Sequence, residues 1–112
     1  MATERQAMLL RVFLDETDKF QGRPRYQELV IQARQHGLAG ATVLRGPLGY
    51  GERGEIHTAK ILRLAEDLPV VVEIVDQEFR IRSFMQEHEP LLGSGLVTLE
   101  QVTVWQADDS LD

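Results

Sequence analysis

The sequence "LPVVVEIVD" (Leu68–Asp76) decides the fold, because it is rich in β-branched residues and almost continuously apolar. Such a run is typical of a central strand that is buried on both faces. A helical pattern follows it, opening at Glu78 or Phe79 and closed by Pro90 and Gly93. The sequence therefore predicts a central strand that leads directly into an amphipathic helix.

The same strand–helix–strand order is predicted on the N-terminal side of this unit. Met8–Glu16 alternates like a strand, and Pro24–His36 has apolar residues at helical spacing. Pro24 suits the first turn of that helix, since its missing N–H would be unpaired there. Ala39–Gly46 is a second strand. Gly95–Trp105 is a last strand, in which the alternation slips near Glu100 and indicates a bulge.

These elements follow the order β-α-β-loop-β-α-β. That order predicts an α+β protein with a ferredoxin-like βαββαβ antiparallel sheet and two helices on one face. We expect a single domain over residues 1–112, with a core over about 8–106 and a frayed tail over 106–112. Ile56–Glu66 fits either a helix or a hairpin strand, and both alternatives stay open.

Composition restricts the classes of protein to consider. The chain has 112 residues, no cysteine and a net charge of −6, which argues against a disulfide scaffold, a cysteine nucleophile and a general nucleic-acid binder. No apolar run is long enough to span a bilayer, so we expect a cytoplasmic protein. Every Lys and Arg lies at or before Arg82, so a bound anion has to be held from the first three-quarters of the chain.

The stretch "RGPLGYGERGEIHT" (Arg45–Thr58) is the strongest candidate site, since four glycines lie within nine residues, close to Arg45 and Arg53. Glycines permit positive φ and a close approach of backbone N–H groups to an anion, and arginines bind phosphate or carboxylate bidentately. The spacing matches neither a Walker loop nor a Rossmann fingerprint. Alternatively, the glycines only form turns and the arginines pair with Glu52 and Glu55.

No catalytic or metal-binding pattern is found. His36 fits the last turn of a helix, His88 lies where its helical neighbours point apart, and His57 with Glu55 offers only two ligands. Asp76 is placed to cap the second helix. We therefore predict no metal site, no catalytic residues and no enzymatic activity.

Three segments together resemble the family called domain of unknown function 190, whose members are similar to the PII signal-transduction proteins. These segments are "GLAGATVLRGPLGYGERGEIHT", "LPVVVEIVD" and "GLVTLEQVTV", and the resemblance covers roughly Leu9–Val104. It implies a homotrimer that binds a small effector, typically an adenine nucleotide, in the cleft between subunits. It also implies a long loop that docks on a protein partner. Some relatives are associated with fluoride-channel proteins, which suggests a membrane transporter or channel as partner.

The resemblance also assigns residues. The implied ligand-binding residues are Arg45, Gly46, Gly49, Tyr50, Gly51, Arg53, Gly93, Ser94 and Gly95. The implied partner-docking residues are Glu52, Arg53, Gly54, Glu55, Ile56 and His57.

The sequence departs from the PII pattern at two points. Glu52 stands where PII proteins have a basic residue, and neither the Gly93–Gly95 loop nor the last strand carries a lysine or arginine. A nucleotide with fewer phosphates than ATP, or a different anion, therefore fits better.

Two functions remain to be compared. The first is a trimeric PII-like regulator whose loop responds to the effector, and the alternative is a ligand-free interaction module that uses the same loop.

Overall fold

The computed structural model describes residues 2–50, 56–58, 68–93 and 95–107. The elements are β1 (Thr3–Asp15), β2 (Lys19–Phe20), β3 (Arg23–Pro24), α1 (Arg25–Gln35), β4 (Gly40–Arg45), β5 (Leu48–Tyr50), β6 (Ile56–Thr58), β7 (Pro69–Asp76), α2 (Glu78–Glu87), α3 (Glu89–Leu92) and β8 (Val97–Gln106). No helix in the described ranges is long and apolar enough to cross a membrane.

Four long strands form one antiparallel sheet in the order β4-β7-β1-β8. The helices cover one face of it, and the core lies between. Strand residues such as Leu10, Val12 and Val72 pack there against Leu29 of α1 and Phe84 of α2. The predicted ferredoxin-like α+β fold is confirmed.

Strand β7 is buried on one face rather than two, so that part of the prediction is wrong. Val70, Val72 and Ile74 are almost fully buried, whereas Val71 and Val75 are only partly covered. Continuous apolar sequence does not distinguish burial by helices from burial by another subunit, because both favour the same residues.

The predicted bulge in the last strand is also wrong. Pairing between β1 and β8 runs without interruption from Thr3↔Gln106 to Val12↔Val97. Strand β1 accordingly begins five residues before the predicted Met8, and Gln106, assigned to the frayed tail, belongs to β8.

The other differences are local. Helix α1 begins at Arg25, with Pro24 as the N-cap residue, and the short helix α3 was not predicted. Ile56–Thr58 forms a strand, and the rest of the ambiguous Ile56–Glu66 segment lies outside the described residues. Residues 108–112 lie outside them too.

The sheet face away from the helices, here called the open sheet face, is apolar around one charged group. Its partly or largely exposed apolar residues are Leu9, Phe13, Leu44, Val71 and Val75. Arg11 lies among them and donates to Glu73 at 2.9 Å and to Glu100 at 3.3 Å. The hydrogen bond to Glu73 is the main reason that the pKa of Arg11 is raised above its usual value. On the open sheet face, the Arg11 guanidinium is thus paired with two carboxylates.

Candidate functional site

The glycine-rich stretch begins with a tight contact against the start of β7. The Gly46 N–H donates to the Pro69 carbonyl at 2.8 Å. A Cβ at Gly46 or at Gly49 would come within 3.2 Å of the Pro69 ring, which is closer than most side chains tolerate. Neither glycine has a positive φ. At these two positions, therefore, glycine permits close packing on Pro69 rather than a left-handed turn.

Beyond this contact the stretch forms a β-hairpin. Strand β5 pairs with β6 through Leu48↔Thr58, Gly49↔His57 and Tyr50↔Ile56. The side chains of Leu48 and Tyr50 are largely exposed. Five predicted site residues between the two strands lie outside the described residues: Gly51, Glu52, Arg53, Gly54 and Glu55. The described part is therefore a hairpin base that presents apolar and aromatic surface.

Arg45 ends β4 and forms an ion pair with Glu16, which follows β1. The Arg45 side chain is 56% exposed and that of Glu16 is 17% exposed. An anion approaching Arg45 would compete with Glu16 for its guanidinium group. The sequence analysis considered only Glu52 and Glu55 as partners of Arg45. The position of Glu16 beside Arg45 depends on how the strands pair, which the sequence does not show.

The second predicted glycine segment precedes β8. Gly93 has φ 80° and ψ −170°, a conformation that essentially only glycine adopts. A Cβ on Gly93 would lie 3.4 Å from the Arg25 guanidinium carbon, and one on Gly95 would lie 3.1 Å from the Phe13 carbonyl oxygen. Ser94 lies outside the described residues. Gly93 is thus required by its backbone conformation, and Gly95 by close packing on the end of β1.

Arg25 is a residue of this site that sequence reasoning missed. Its guanidinium donates to the carbonyls of Pro90 at 2.9 Å, Leu91 at 2.8 Å and Lys19 at 3.3 Å, and to the Asp18 carboxylate at 3.3 Å. The Gly93 segment therefore has a cation beside it, although the sequence from Ser83 onward supplies none. No local pattern could join Arg25 to residues 65 positions away.

The two glycine segments lie at the same end of the sheet but at opposite edges. Arg45, the last residue of β4, pairs with Val70 in β7. Val97, the first residue of β8, pairs with Val12 in β1. Since β7 and β1 lie between these edge strands, three strand spacings of about 4.8 Å separate the end of β4 from the start of β8 by roughly 14 Å. Among the described residues, Arg45 and the residues that lead into β8 therefore lie at opposite edges of the sheet.

A separate side-chain cluster lies where α1 and α2 end. His36 Nε2 is 2.7 Å from His88 Nε2 and 3.5 Å from a Glu87 carboxylate oxygen. The expectation that the helical neighbours of His88 point apart is wrong for Glu87, because Glu87 and His88 both contribute a ligand atom to a cluster with His36. Helix α1 brings His36 to a residue 52 positions away, which spacing along one helix cannot reveal.

Comparison with known proteins identifies the class to which this fold belongs. The chain has a PII-like fold. A PII-like nitrogen regulatory protein of Thiomonas intermedia, CPII, solved with ADP, AMP and bicarbonate, superposes with a TM-score of 0.67 at 15% identity over 91% of each chain. The GlnK–ATP complex of B. subtilis superposes with a TM-score of 0.52 at 13% identity, over 87% of this chain and 82% of that one.

Sequence comparison then identifies the family. The model of the uncharacterized ACR family, domain of unknown function 190, matches residues 7–104. A UPF0166 protein of Aquifex aeolicus is 46% identical over 96 residues, which is 86% of this chain and 90% of that protein. The chain belongs to the domain of unknown function 190 family, as the sequence motifs predicted.

Proposed function

We propose that the protein is a homotrimeric, cytoplasmic PII-like regulator that binds an adenine nucleotide between subunits and docks on a partner through the β5–β6 hairpin. The observation that carries this proposal is the separation of the two glycine segments at one end of the sheet. A neighbouring subunit that places its Gly93 segment beside this hairpin completes a site that one chain leaves divided. The PII-like proteins with adenine nucleotides bound support the ligand class.

The open sheet face supports assembly of several copies. Rows of paired apolar residues cross it, such as Leu44, Val71 and Phe13. Burial of such a surface is favourable, at about 25 cal/mol for each Å² of apolar area removed from water. Arg11 lies among these rows and pairs with both Glu73 and Glu100, so its positive charge offsets one of the two carboxylate charges.

The arginines beside the proposed site already have partners, which favours a ligand with few phosphates. Arg45 already pairs with Glu16, the Arg25 donors are occupied by carbonyls and Asp18, and no Lys or Arg follows Arg82. AMP or ADP carries less negative charge than ATP and needs fewer compensating groups. We therefore expect AMP or ADP to bind more tightly than ATP.

The partner contacts are assigned to the hairpin and to the residues that join its strands. Leu48 and Tyr50 supply exposed apolar and aromatic surface, which is enriched in protein interfaces. The docking residues Glu52, Arg53, Gly54, Glu55, Ile56 and His57 follow directly in the chain. A membrane transporter or channel is the proposed partner, and the role is regulatory rather than enzymatic.

A thermal-shift titration tests the nucleotide assignment. ATP, ADP, AMP, cyclic AMP and cyclic di-AMP are titrated, with fluoride and bicarbonate as controls. A ligand at about 100 times its Kd stabilises the folded protein by roughly 2.7 kcal/mol. We expect a saturable shift with AMP or ADP, lost in Arg53→Ala and retained in Arg23→Ala, a change at an arginine whose side chain is 73% exposed.

The alternative is a ligand-free interaction module that uses the same hairpin. The Arg45–Glu16 ion pair favours it, because the one described arginine of the predicted ligand set is already neutralised. The absence of a shift with every nucleotide, together with a partner captured by wild type and lost in Tyr50→Ala, would support this alternative.

A further inference from the structure

Three metal-binding side chains meet where the two main helices end. His36 is the C-cap residue of α1, Glu87 is the last residue of α2, and His88 links α2 to α3. One ligand atom from each residue lies within 4.8 Å of the other two. In the part of the chain that the structure describes, no other group of histidines and carboxylates meets this condition.

The two imidazole rings are held in place by a buried aromatic residue. The His36 ring packs edge-on against Phe84, with centroids 5.4 Å apart, and the His88 ring lies 5.0 Å from the same residue. Phe84 is only 1% exposed, so it belongs to the rigid core. Arg80 also fixes the backbone of His36 by donating to its carbonyl at 2.9 Å. The ring nitrogens are therefore directed toward each other before any ligand binds.

The contact between the ring nitrogens has the chemistry of a metal site. An Nε2–Nε2 distance of 2.7 Å requires one ring to donate a proton and the other to accept it. A metal ion would take the place of that proton, which moves to Nδ1 of the same ring, so that both Nε2 lone pairs are available to the metal. With Zn–N bonds of about 2.0–2.1 Å and tetrahedral angles, the two nitrogens would be about 3.3 Å apart. The nitrogens must therefore separate by roughly 0.6 Å, and each ring must turn so that its lone pair points at the ion.

The third ligand and the surroundings also suit a cation. The Glu87 side chain is 60% exposed, so its carboxylate can turn toward the two rings at little cost. The carbonyl ends of α1 and α2 carry partial negative charge, which favours a cation there. Glu87 and His88 also line a cavity of about 240 Å³ together with Glu28 and Gln32, so the cluster is open on that side.

We propose that His36, Glu87 and His88 form a site for one Zn²⁺ ion per chain. Two imidazoles and one carboxylate are a ligand set that Zn²⁺ accepts in proteins, with water completing the tetrahedron. The ion would join the end of α1 to the connection between α2 and α3. This site shares no residue with the proposed nucleotide site, so either proposal can fail without the other.

The test is isothermal titration of the chelator-treated full chain with ZnCl₂, alongside thermal unfolding with and without the metal. We expect one Zn²⁺ bound per chain and a rise in Tm. His88→Gln should weaken binding at least 100-fold, and Glu87→Gln about 10-fold. Co²⁺ in place of Zn²⁺ should give the visible absorption of a tetrahedral site in wild type and lose it in His88→Gln.

Matched variants separate the cluster from general surface binding. Glu89→Gln removes the same charge two residues away, and His57→Gln removes the third histidine of the chain. Both should bind Zn²⁺ like wild type. Glu87→Gln changes an exposed side chain, so its result does not depend on a destabilised fold. Failure to bind Zn²⁺ stoichiometrically, or equal binding by wild type, Glu87→Gln and His88→Gln, would overturn the proposal.

Discussion

At the scale of single residues, Arg25 makes the most connections in the described structure. It lies at the start of α1 and is only 14% exposed. Its guanidinium satisfies the Pro90 and Leu91 carbonyls of the short helix α3, which would otherwise lack intrahelical partners. The planar fork of arginine suits this role because it offers several donors in fixed directions. Arg25 therefore fixes the α3 end beside the Gly93 segment.

We predict that Arg25→Ala destabilises the protein by about 2 kcal/mol or more, because buried carbonyls lose charge-assisted hydrogen bonds. Urea unfolding at one fixed protein concentration measures the change. Arg25→Lys should recover only part of the loss, since an ammonium group cannot reproduce the fork. Arg23→Ala is the control and should change stability by less than about 0.5 kcal/mol. A stable Arg25→Ala protein would show that α3 is held by other contacts.

Residue-level contacts of this kind are the part of the site that the sequence could not predict. The glycines at 46, 49, 93 and 95 were identified from composition and resemblance, but the structure explains those at 46, 49 and 95 by close packing on Pro69 and Phe13, and Gly93 by its positive φ. Likewise, the convergence of His36 and His88 depends on how two helices pack. Local spacing carries no signal for contacts that only the tertiary fold creates.

At the scale of elements, Asp76 joins the end of β7 to α2 and to the connection that follows α1. Its carboxylate accepts the N–H of Ala39 at 3.0 Å and of Gln77 at 2.6 Å, and pairs with Arg80 at 3.2 Å. The sequence predicted it as the cap of α2, but Gln77 is the N-cap residue and Asp76 precedes it. The carboxylate instead joins α2 to the connection between α1 and β4.

We expect Asp76→Asn to cost about 2 kcal/mol, because the amide keeps the size of the side chain but loses the charge that binds Arg80 and two N–H groups. Thermal or urea unfolding gives the value. Glu78→Gln, which removes a charge from an exposed i,i+4 pair with Arg82, should have an effect below about 0.5 kcal/mol. If Asp76→Asn is as stable as wild type, the hydrogen bonds alone hold this junction and the ion pair contributes nothing measurable.

The prediction of β7 was accurate to within one residue because its run of β-branched, apolar residues begins and ends with the strand. In β8 the apolar residues change face: Leu99 pairs with Leu10 in the core, whereas Val102 pairs with Ala7 on the open sheet face. The alternation slips near Glu100 because the apolar residues before and after it lie on different faces of a regular strand. The backbone is not distorted there. A single chain's pattern cannot separate these two causes.

At the scale of the whole molecule, the open sheet face predicts self-association, and the family resemblance predicts that the oligomer is a trimer. We expect the wild-type protein to be a trimer of 12.7 kDa chains in size-exclusion chromatography with light scattering. Phe13→Glu should yield folded monomers, since it places an uncompensated charge among the apolar rows. The Phe13 side chain is exposed in the single chain, so the subunit fold should remain.

Ile31→Glu makes the same chemical change on an exposed position of α1 and should leave the trimer intact. A wild-type protein that elutes as a monomer would contradict the assembly proposed here. It would also remove the reason to place a ligand between subunits.

The contact of Gly46 and Gly49 with Pro69 has a consequence for how this family can diversify. It fixes the direction of the β5–β6 hairpin at its base, through backbone atoms and one ring, without using the residues that join the two strands. This contact therefore does not depend on which residues stand between Tyr50 and Ile56 in the sequence. Recognition of new partners can evolve there, or be engineered by exchanging that segment, while the folding of the subunit stays the same.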